Sequence, residues 1–326
     1  MAPADPTPSV PRDATLADLG EFGVIEALTA IFEQGDHVDV GPGDDAAVLW
    51  CDDDQVLVSS DLMVQDRHFR RDWSEAADVG HRAAAQNLSD INAMGGRAHS
   101  LTVGLAVPAD LPVAWVLDFA RGFAEECALV GASVVGGDLT RADAIVVAVT
   151  VIGRCRLDPV LRSGAEPGEV VAIAGRQGWA AGGLAVLSRG FRSPRALVEA
   201  HRRPQPPYDA GPAAADAGAT AMLDVSDGLL GDLAHLARAS GVSIDLERAA
   251  LDVPEALQAV AAATGSDPTE LVLTGGDDHS LVATFGSADE VPAAFRVIGR
   301  VLAADGDPRV TVDGVAHEGA GGWTHF

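Results

Sequence analysis

Lysine is absent from this sequence of 326 residues, because all 22 of its basic residues are arginines. A P-loop ending in GK[ST], the strand lysine of protein kinases and a lysine Schiff base each require that residue. The sequence therefore excludes these three kinds of site. A protein of this composition that handles phosphate groups must carry the positive charge on arginine and on divalent cations.

Positive charge of any kind is scarce, since 48 acidic residues face 22 basic ones and give a formal net charge of -26. Nucleic acids and anionic membranes bind through clustered cations that displace their counterions. The balance therefore excludes both as expected partners. Small anionic substrates remain compatible with this charge when metal ions mediate their binding.

Cysteines and long apolar runs are also few. Cys51, Cys127 and Cys155 are odd in number, far apart and match no metal or redox spacing, so we expect reduced, buried thiols without a function. The longest apolar run, 144–152, is well short of the ~20 residues that span a bilayer. Residues 1–13 have neither a basic start nor an apolar stretch, and they predict a disordered tail on a cytoplasmic protein.

Two domains of mixed α and β structure are expected from the length and from the 48% hydrophobic content. The turn-rich stretch 155–167 divides them, so that the predicted domains are 14–154 and 155–326. In the first, periodicity predicts helices at 15–32, 75–94 and 113–130, and strands at 46–50, 56–59, 101–107 and 144–152. In the second it predicts strands at 170–174, 242–246, 281–284 and 296–302, and helices at 184–187, 229–239 and 254–263.

A glycine-rich segment, GRQGWAAGG at 175–183, precedes the short predicted helix at 184–187. Its glycines are able to approach a phosphate group, but the G-x-G-x-x-G spacing is missing. Tight packing of the strand against the helix is therefore the favoured interpretation.

Aspartates recur in one sequence context, in which a strand or apolar segment ends in small residues that are followed by Asp. The set is GDD at 43–45, SSD at 59–61, GGD at 136–138, DVSD at 224–227 and GGDD at 275–278. Any one of these is well explained as a turn or a helix cap, and Asp227 is a candidate cap for the helix that begins at Leu229. Five together, in a chain so poor in cations, favour a functional role.

Asp90 supports this interpretation independently, because it lies inside the Ala-rich helix predicted at 75–94 with Asn87 on the same face. An unpaired buried carboxylate is costly, and a bound metal ion removes that cost. Oxygen ligands without a His or Cys spacing favour Mg²⁺ or Ca²⁺ over Zn²⁺, and the calcium loop D-x-[DN]-x-[DN]-G is absent. Dispersed aspartates suit Mg²⁺, which leaves coordination positions to substrate phosphates.

An ordered series of motifs resembles the thiamine-monophosphate kinase family: GDDAAVL, SSDLMVQDRHF, NLSDINAMGG, GGDLTR, LRSGAEPG, DVSDGLLGDL, LTGGDDHSL and GWTHF. The resemblance implies a two-domain α/β (α+β) fold shared with aminoimidazole ribonucleotide synthetase. It also implies an N-terminal sheet that forms the interface of a homodimer and a C-terminal α/β domain, with ATP and thiamine monophosphate bound between them. The implied reaction makes thiamine diphosphate, in the cytoplasm.

Carried over motif by motif, the resemblance implies three sets of site residues. Several Mg²⁺ ions would be bound by Asp45, Ser59, Ser60, Asp61, Asp90, Asp138, Asp224 and Asp227, among which Asp45, Asp61, Asp90, Asp138 and Asp224 form the catalytic set. ATP would contact Gly137, Asp138, Arg162 and Ser226. Thiamine monophosphate would contact His68, Asp277 and Trp323.

Arg162 and Trp323 have side chains suited to these roles, since a guanidinium binds phosphate bidentately and an indole ring stacks on a cationic heterocycle. A solvated turn arginine and a terminal tryptophan packed on its own domain are the alternatives. The sequence departs from the family on the substrate side. Asp277 replaces the usual Glu, Asp278-His279-Ser280 replaces Asp-Tyr-Glu, and Gln65-Asp66 replaces Glu-Gly.

Two other functions are compatible with these motifs. One is that of a synthetase of the same fold, which uses ATP to activate an amide oxygen. The other is a divalent-ion binding protein without catalysis, which predicts metal uptake without affinity for ATP. Formation of thiamine diphosphate from ATP and thiamine monophosphate separates both from a kinase.

Overall fold

The computed structural model describes residues 14–40, 48–50, 56–319 and 321–323. It divides into two compact units, which are described separately below. The first unit contains the described residues up to Leu88 together with Ala98–Arg154. The second contains Ser89–Arg97 and the described chain from Cys155 onward, so the end of one helix belongs to the second unit.

The first unit begins with a capped helix. Thr15 accepts a hydrogen bond from the Asp18 backbone N–H, and the Asp18 carboxylate accepts one from the Thr15 backbone N–H at 2.9 Å. The predicted N-cap at Thr15 is therefore confirmed. The elements that start in this unit are α1 (Leu16–Thr29), β1 (Val38–Val40), β2 (Val48–Leu49), β3 (Leu57–Val64), α2 (Ala76–Ala93), β4 (Arg97–Val107), α3 (Val113–Ala128), β5 (Ser133–Arg141) and β6 (Val146–Arg154).

Four of these strands form one sheet, in the order β3-β6-β4-β5, so that β3 and β5 are its edges. β3 runs antiparallel to β6, and β4 runs parallel to β5. Successive side chains of a strand point to opposite faces. In β3 this alternation buries Met63 and leaves Val58 and Leu62 exposed on the other face.

α2 and α3 approach each other at two glycines of the first unit. A Cβ atom on Gly122 would lie 2.1 Å from the Ala77 carbonyl oxygen, and one on Gly80 would lie 2.1 Å from the Phe119 carbonyl oxygen. Both distances are far below van der Waals contact, so the close approach requires glycine at these positions. This contact holds the Ala-rich helix α2 against α3.

The second unit is built around a seven-stranded sheet in the order β13-β12-β9-β11-β7-β10-β8. All of its pairings are antiparallel except that of β12 with β9. Its elements are β7 (Val170–Ala174), α4 (Trp179–Leu187), α5 (Arg195–Arg202), α6 (Ala210–Asp216), β8 (Ala221–Val225), α7 (Leu229–Ser240), β9 (Val242–Leu246), α8 (Glu255–Thr264), α9 (Pro268–Thr274), β10 (Ser280–Phe285), β11 (Phe295–Ala303), β12 (Val310–Val312) and β13 (Val315–Ala316).

The strands at one end of this sheet form a buried core. Every residue of β10 and β8 is buried, and Phe285 packs edge to face on Phe295. Ala93, from the end of α2, lies in the same cluster as Met222 of β8. The last turns of α2 are thus held against the sheet of the second unit.

The glycine-rich segment 175–183 serves packing, but it packs helix against helix and not the strand against the helix that the sequence indicated. A Cβ atom on Gly183 would lie 2.1 Å from the Leu197 carbonyl oxygen of α5, and one on Gly182 would lie 2.7 Å from the Leu257 side chain. α4 begins at Trp179, inside the segment. The prediction that the helix starts at Leu184 was therefore wrong by about one turn.

Two expectations from composition are also tested. Cys127 is buried, Cys155 is half-buried and neither forms a disulfide, while Cys51 lies outside the described residues. Burial raises the pKa of both thiols, which keeps them protonated. In the part of the chain that the structure describes, no helix combines the length and the apolar character needed to cross a membrane.

Candidate functional site

Asp61 lies on β3 of the first unit, on the face of the strand turned toward α2. Its backbone N–H donates to Asn87 Oδ1 at 3.2 Å, and Gln86 Nε2 donates to Asp61 Oδ2 at 3.2 Å. Asn87 is held in turn by a bond from its Nδ2 to the Ala83 carbonyl oxygen at 2.9 Å. Two amide side chains of α2 therefore orient the Asp61 residue.

The two serines that precede Asp61 lie on different faces of β3. Ser59 shares the face of Asp61, because the two residues are two positions apart on one strand. The Ser60 hydroxyl points to the opposite face, where it donates to the Val149 carbonyl oxygen at 2.8 Å. The structure therefore does not bring the Ser60 hydroxyl and the Asp61 carboxylate together.

Gly137 and Asp138 lie on β5, at the other edge of the same sheet. A Cβ atom on Gly137 would lie 2.1 Å from the Val103 carbonyl oxygen, so this position accepts only glycine. β3 and β5 are three strand spacings apart, which is roughly 14 Å at ~4.8 Å per spacing. Because Mg²⁺ binds oxygen at about 2.1 Å, Asp61 and Asp138 of one chain cannot bind the same ion.

The sequence placed these aspartates just beyond strand ends, and this expectation was wrong for three of them. Asp61, Asp138 and Asp224 lie within β3, β5 and β8. Local sequence shows that small residues precede an acid, but strand pairing with neighbours decides where a strand ends.

His68 follows β3 in a turn. Its Nδ1 accepts the Val64 backbone N–H at 3.0 Å, so the ring proton is on Nε2. Asp45 lies outside the described residues. Asp90, which was also predicted in the first domain, is half-buried on α2 and belongs to the second unit.

In the second unit, Asp224 is the centre of a buried polar group. The Ser89 hydroxyl donates to its Oδ2 at 2.9 Å, and His279 Nδ1 lies 3.0 Å from the same oxygen. Asp224 and His279 are both buried, and Ser89 is completely so. Burial disfavours the charged imidazole, but the bond to Asp224 and the charges of Asp224, Asp277 and Asp90 raise the pKa of His279 above its usual value.

Three predicted residues converge on the loop that follows β8. The Ser226 carbonyl oxygen accepts the Asp277 backbone N–H at 2.8 Å, and the Asp227 carbonyl oxygen accepts that of Trp323 at 2.9 Å. A Cβ atom on Gly276 would lie 2.2 Å from the Ser226 oxygen, so glycine is required for this approach. The structure thus brings Ser226, Asp277 and Trp323 together, and the Trp323 side chain remains 67% exposed.

Asp227 does not cap α7, although the sequence made it a candidate for that role. The cap position is Gly228, and Asp232 Oδ2 accepts the backbone N–H groups of Asp227 and Gly228, both at 3.0 Å. Burial, with the charges of Asp224 and Asp227, raises the pKa of Asp232 to about 6 in spite of these bonds. This loop is therefore a region of concentrated negative charge.

Arg162 is exposed, and its carbonyl oxygen accepts the Ser240 hydroxyl at 3.0 Å. Ser240 is the last residue of α7, whereas Asp227 lies before its first turn. A helix of 12 residues is about 18 Å long, so the Arg162 backbone lies far from the Asp227 backbone.

Several residues in and around the acidic loops were not assigned a role from sequence. Ser89, Asp232 and His279 contact predicted site residues, and Asp278 Oδ1 accepts the Ala180 backbone N–H at 2.9 Å at the start of α4. Burial raises the pKa of Asp278 to about 7, although the amides of Ala180 and Gly178 oppose this. One indication in the sequence that these residues matter is that the segment 278–280, which includes His279, departs from the family motif.

The donor atoms of the second unit fit Mg²⁺. Asp224 is a buried carboxylate that contacts His279 through Oδ2, and Oδ1 takes no part in that contact. Among the residues that the structure describes, no three His, Cys, Asp or Glu side chains are grouped so as to hold a metal ion. Mg²⁺ commonly takes only one or two carboxylates and completes its shell with water and phosphate oxygens, so the arrangement suits an ion that arrives with nucleotide.

The fold and these loops define a member of the AIR synthase related proteins. The N-terminal domain of that family matches residues 43–155, and its C-terminal domain matches residues 166–313. The expected two-domain α/β fold is therefore confirmed.

Within this class, the chain belongs to the thiamine-monophosphate kinase family. It is 50% identical over 316 residues to the thiamine-monophosphate kinase of Mycobacterium tuberculosis, which covers 96% of this chain and 93% of the relative. It is 38% identical over 322 residues to that of Corynebacterium glutamicum, with 96% and 95% covered. The solved structure of AaThiL complexed with AMPPCP and TMP superposes with a TM-score of 0.78 at 32% identity, and covers 96% of this chain and 99% of that one. The resemblance seen in the motifs is confirmed, and so is the prediction of a kinase.

Proposed function

We propose that this protein transfers the γ-phosphoryl group of ATP to the phosphate of thiamine monophosphate, which yields ADP and thiamine diphosphate. The observation that carries the proposal is the match along nearly the whole chain to a solved relative complexed with AMPPCP and TMP. AMPPCP is an analogue of ATP, so that relative holds both a donor analogue and the acceptor named here.

Magnesium is the metal we assign to the reaction, and its ligands would be the predicted aspartates with Ser59. The Ser60 hydroxyl lies on the other face of β3 from Asp61, so the structure does not support its predicted role as a ligand beside Asp61. Of the predicted aspartates, Asp90, Asp224 and Asp227 lie in the second unit, Asp61 and Asp138 lie in the first, and Asp45 lies outside the described residues. Because Asp61 and Asp138 of one chain cannot bind the same ion, we assign more than one ion. When bound, Mg²⁺ offsets the charge of the two phosphate groups that must approach each other.

The remaining residues bind and orient the substrates. Ser226 with Arg162 and Gly137 would contact the nucleotide. The exposed ring of Trp323 presents a flat face suited to the cationic heterocycle of the acceptor, beside Asp277. His68 is also assigned to the acceptor, as the motif resemblance implied.

No side chain needs to remove a proton from the acceptor. A phosphate monoester has a second pKa near ~6 and is mostly dianionic at neutral pH, so it is already a nucleophile. Positioning and charge neutralisation therefore supply the catalysis, and we expect no phosphorylated enzyme intermediate.

The test is an assay of the purified protein with ATP, thiamine monophosphate and Mg²⁺. Thiamine diphosphate and ADP should form in equal amounts, as measured by chromatography of both products. Release of ADP without thiamine diphosphate would contradict the proposal and favour a synthetase of the same fold. Metal binding without affinity for ATP would favour a non-catalytic protein.

We also propose a homodimer joined through the edge strand β3. Val58 and Leu62 are 62% and 53% exposed on one face of this strand, and such apolar side chains favour pairing with another chain. Replacing Leu62 by arginine places a charge on that face. The variant should elute as a monomer in size-exclusion chromatography with light scattering, whereas the wild type elutes as a dimer.

Leu129→Arg is the matched control, since Leu129 is 68% exposed at the end of α3. It should leave the dimer intact. A Leu62→Arg variant that remains dimeric, or a wild-type protein that is monomeric, would contradict this interface. A cytoplasmic location stays a prediction from the sequence.

A further inference from the structure

We propose that His279 and Ser89 are positioning residues that turn Oδ1 of Asp224 toward bound magnesium. The inference rests on the magnesium site of the proposed function and adds to it two residues that contact neither substrate nor metal. They act by hydrogen-bonding the opposite oxygen of the ligand carboxylate.

The geometry of Asp224 carries the inference. The Ser89 hydroxyl and His279 Nδ1 lie 2.9 and 3.0 Å from one oxygen, Oδ2, and neither bond involves Oδ1. A carboxylate only accepts hydrogen bonds, so the hydroxyl and the imidazole nitrogen are both donors here. Two donors occupy Oδ2 and fix the plane of the carboxylate. A cation is then offered Oδ1 as a single ligand atom.

Both donors are held by the fold and cannot readily turn away. Ser89 is completely buried on α2, and His279 is 6% exposed. The His279 backbone has a φ of +52°, in the left-handed region that side chains other than glycine seldom adopt. His279 directly precedes β10, whose first residue pairs with Val225 of β8. Strained backbone of this kind persists where the surrounding structure over-determines it, and it is common at functional sites.

The two contacts join segments that are far apart in sequence. Ser89 and Asp224 are separated by 135 positions, and His279 and Asp224 by 55. Hydrogen bonds to a ligand carboxylate set its orientation, and their removal commonly weakens metal binding by roughly 10- to 100-fold. The two donors should therefore control the affinity for metal without changing the affinity for the acceptor.

The experiment compares His279→Asn with His279→Gly. Asparagine tolerates a positive φ and can donate from its amide, whereas glycine relieves the backbone and removes the donor. The pair therefore separates loss of the hydrogen bond from a change in backbone strain. The readout is direct binding of Mn²⁺, used as a probe for Mg²⁺ and followed by electron paramagnetic resonance of the full-length protein.

We expect His279→Gly to weaken Mn²⁺ binding by roughly 10- to 100-fold, and His279→Asn to stay close to the wild type. In the kinetic assay, the Mg²⁺ concentration for half-maximal rate should rise in the glycine variant, while the KM for thiamine monophosphate should not change. Ser89→Ala provides a second test if the glycine variant fails to fold, because alanine favours the helix and removes only the hydroxyl. It should also weaken Mn²⁺ binding.

Metal binding equal to the wild type in both His279→Gly and Ser89→Ala would overturn the inference, and so would equal losses in the asparagine and glycine variants. The proposed function has a separate test in Asp224→Asn. If that variant loses Mn²⁺ binding while the positioning variants keep it, the magnesium site stands and only the positioning role is wrong. If the wild type binds no Mn²⁺ without nucleotide, binding is measured again with AMPPCP present. Absence of protein-bound Mn²⁺ there too would overturn the magnesium site and the positioning role, while formation of thiamine diphosphate still tests the kinase separately.

Discussion

Replacing Asp224 by asparagine should lower kcat/KM for thiamine monophosphate by on the order of 10³-fold, which corresponds to about 4 kcal/mol of transition-state stabilisation. The asparagine carbonyl can still accept the bonds from Ser89 and His279, which reach a single oxygen in the native protein. Its amide group then takes the position of Oδ1, the oxygen that would bind the metal, and an N–H donor repels a cation. The fold should be retained, because volume and hydrogen bonds are nearly unchanged. Steady-state kinetics with circular dichroism of the variant measure both properties.

Asp252→Asn is the control for the loss of one negative charge. Asp252 is an exposed residue of the same unit, outside the loops described above. Its variant should keep the wild-type kcat/KM. Wild-type activity in Asp224→Asn would remove Asp224 from the proposed magnesium ligands. Asp90→Asn, which removes another of the three predicted ligands of this unit, should also lose nearly all activity.

Replacing Asp278 by asparagine should increase the free energy of unfolding by about 2 to 4 kcal/mol at pH 8 and change it little under acidic conditions. The reason is the burial of this carboxyl group, which raises its pKa from 3.8 to about 7. Asparagine keeps an oxygen that can accept the Ala180 N–H and cap α4. It carries no charge at any pH.

Proton linkage explains why the stability gained by the Asp278→Asn variant increases with pH. The pKa of Asp278 is higher in the folded state than in the unfolded state, so as pH rises the unfolded chain loses its proton first. The contribution of the neutral carboxyl group to stability is complete below pH ~4 and is lost as pH rises toward ~7. The advantage of the variant should therefore grow by about 2 kcal/mol between pH 5.5 and pH 8.

Chemical denaturation of both proteins across this pH range gives the difference directly. Asp305→Asn, at an exposed loop position, is the control for the loss of one carboxylate. A constant difference between wild type and Asp278→Asn across the range would contradict the assignment of a raised pKa to Asp278.

The long periodic segments of the fold could be predicted from sequence, whereas several elements of the second unit could not. The strands at 170–174 and 242–246 lie where the pattern placed them. α5, α6 and β8 were not predicted, and β5, which holds Gly137 and Asp138, was also missed. Its sequence SVVGGDLTR has glycines in the middle, which local propensity treats as a turn. Pairing with β4 overrides that propensity.

The candidate site was predicted in part. The motifs indicated the loops after β8 and before β10, and the structure joins them through the bond between Ser226 and Asp277. It did not join Asp61 with Asp138, because their strands are opposite edges of one sheet. No local pattern reports the order of strands in a sheet, so this separation could not be seen in the sequence.

Composition and motif order by themselves determined the charge of this protein, the absence of lysine chemistry, the expected use of divalent cations and the family. Those properties depend on which residues are present and in what order along the chain. Only the tertiary structure decided that Ser89 and His279 share one oxygen of Asp224, that Asp278 is buried at the start of α4, and that Ser60 faces away from Asp61. Hydrogen bonds between distant residues depend on strand order, register and burial, and these are set by the packing of the whole chain.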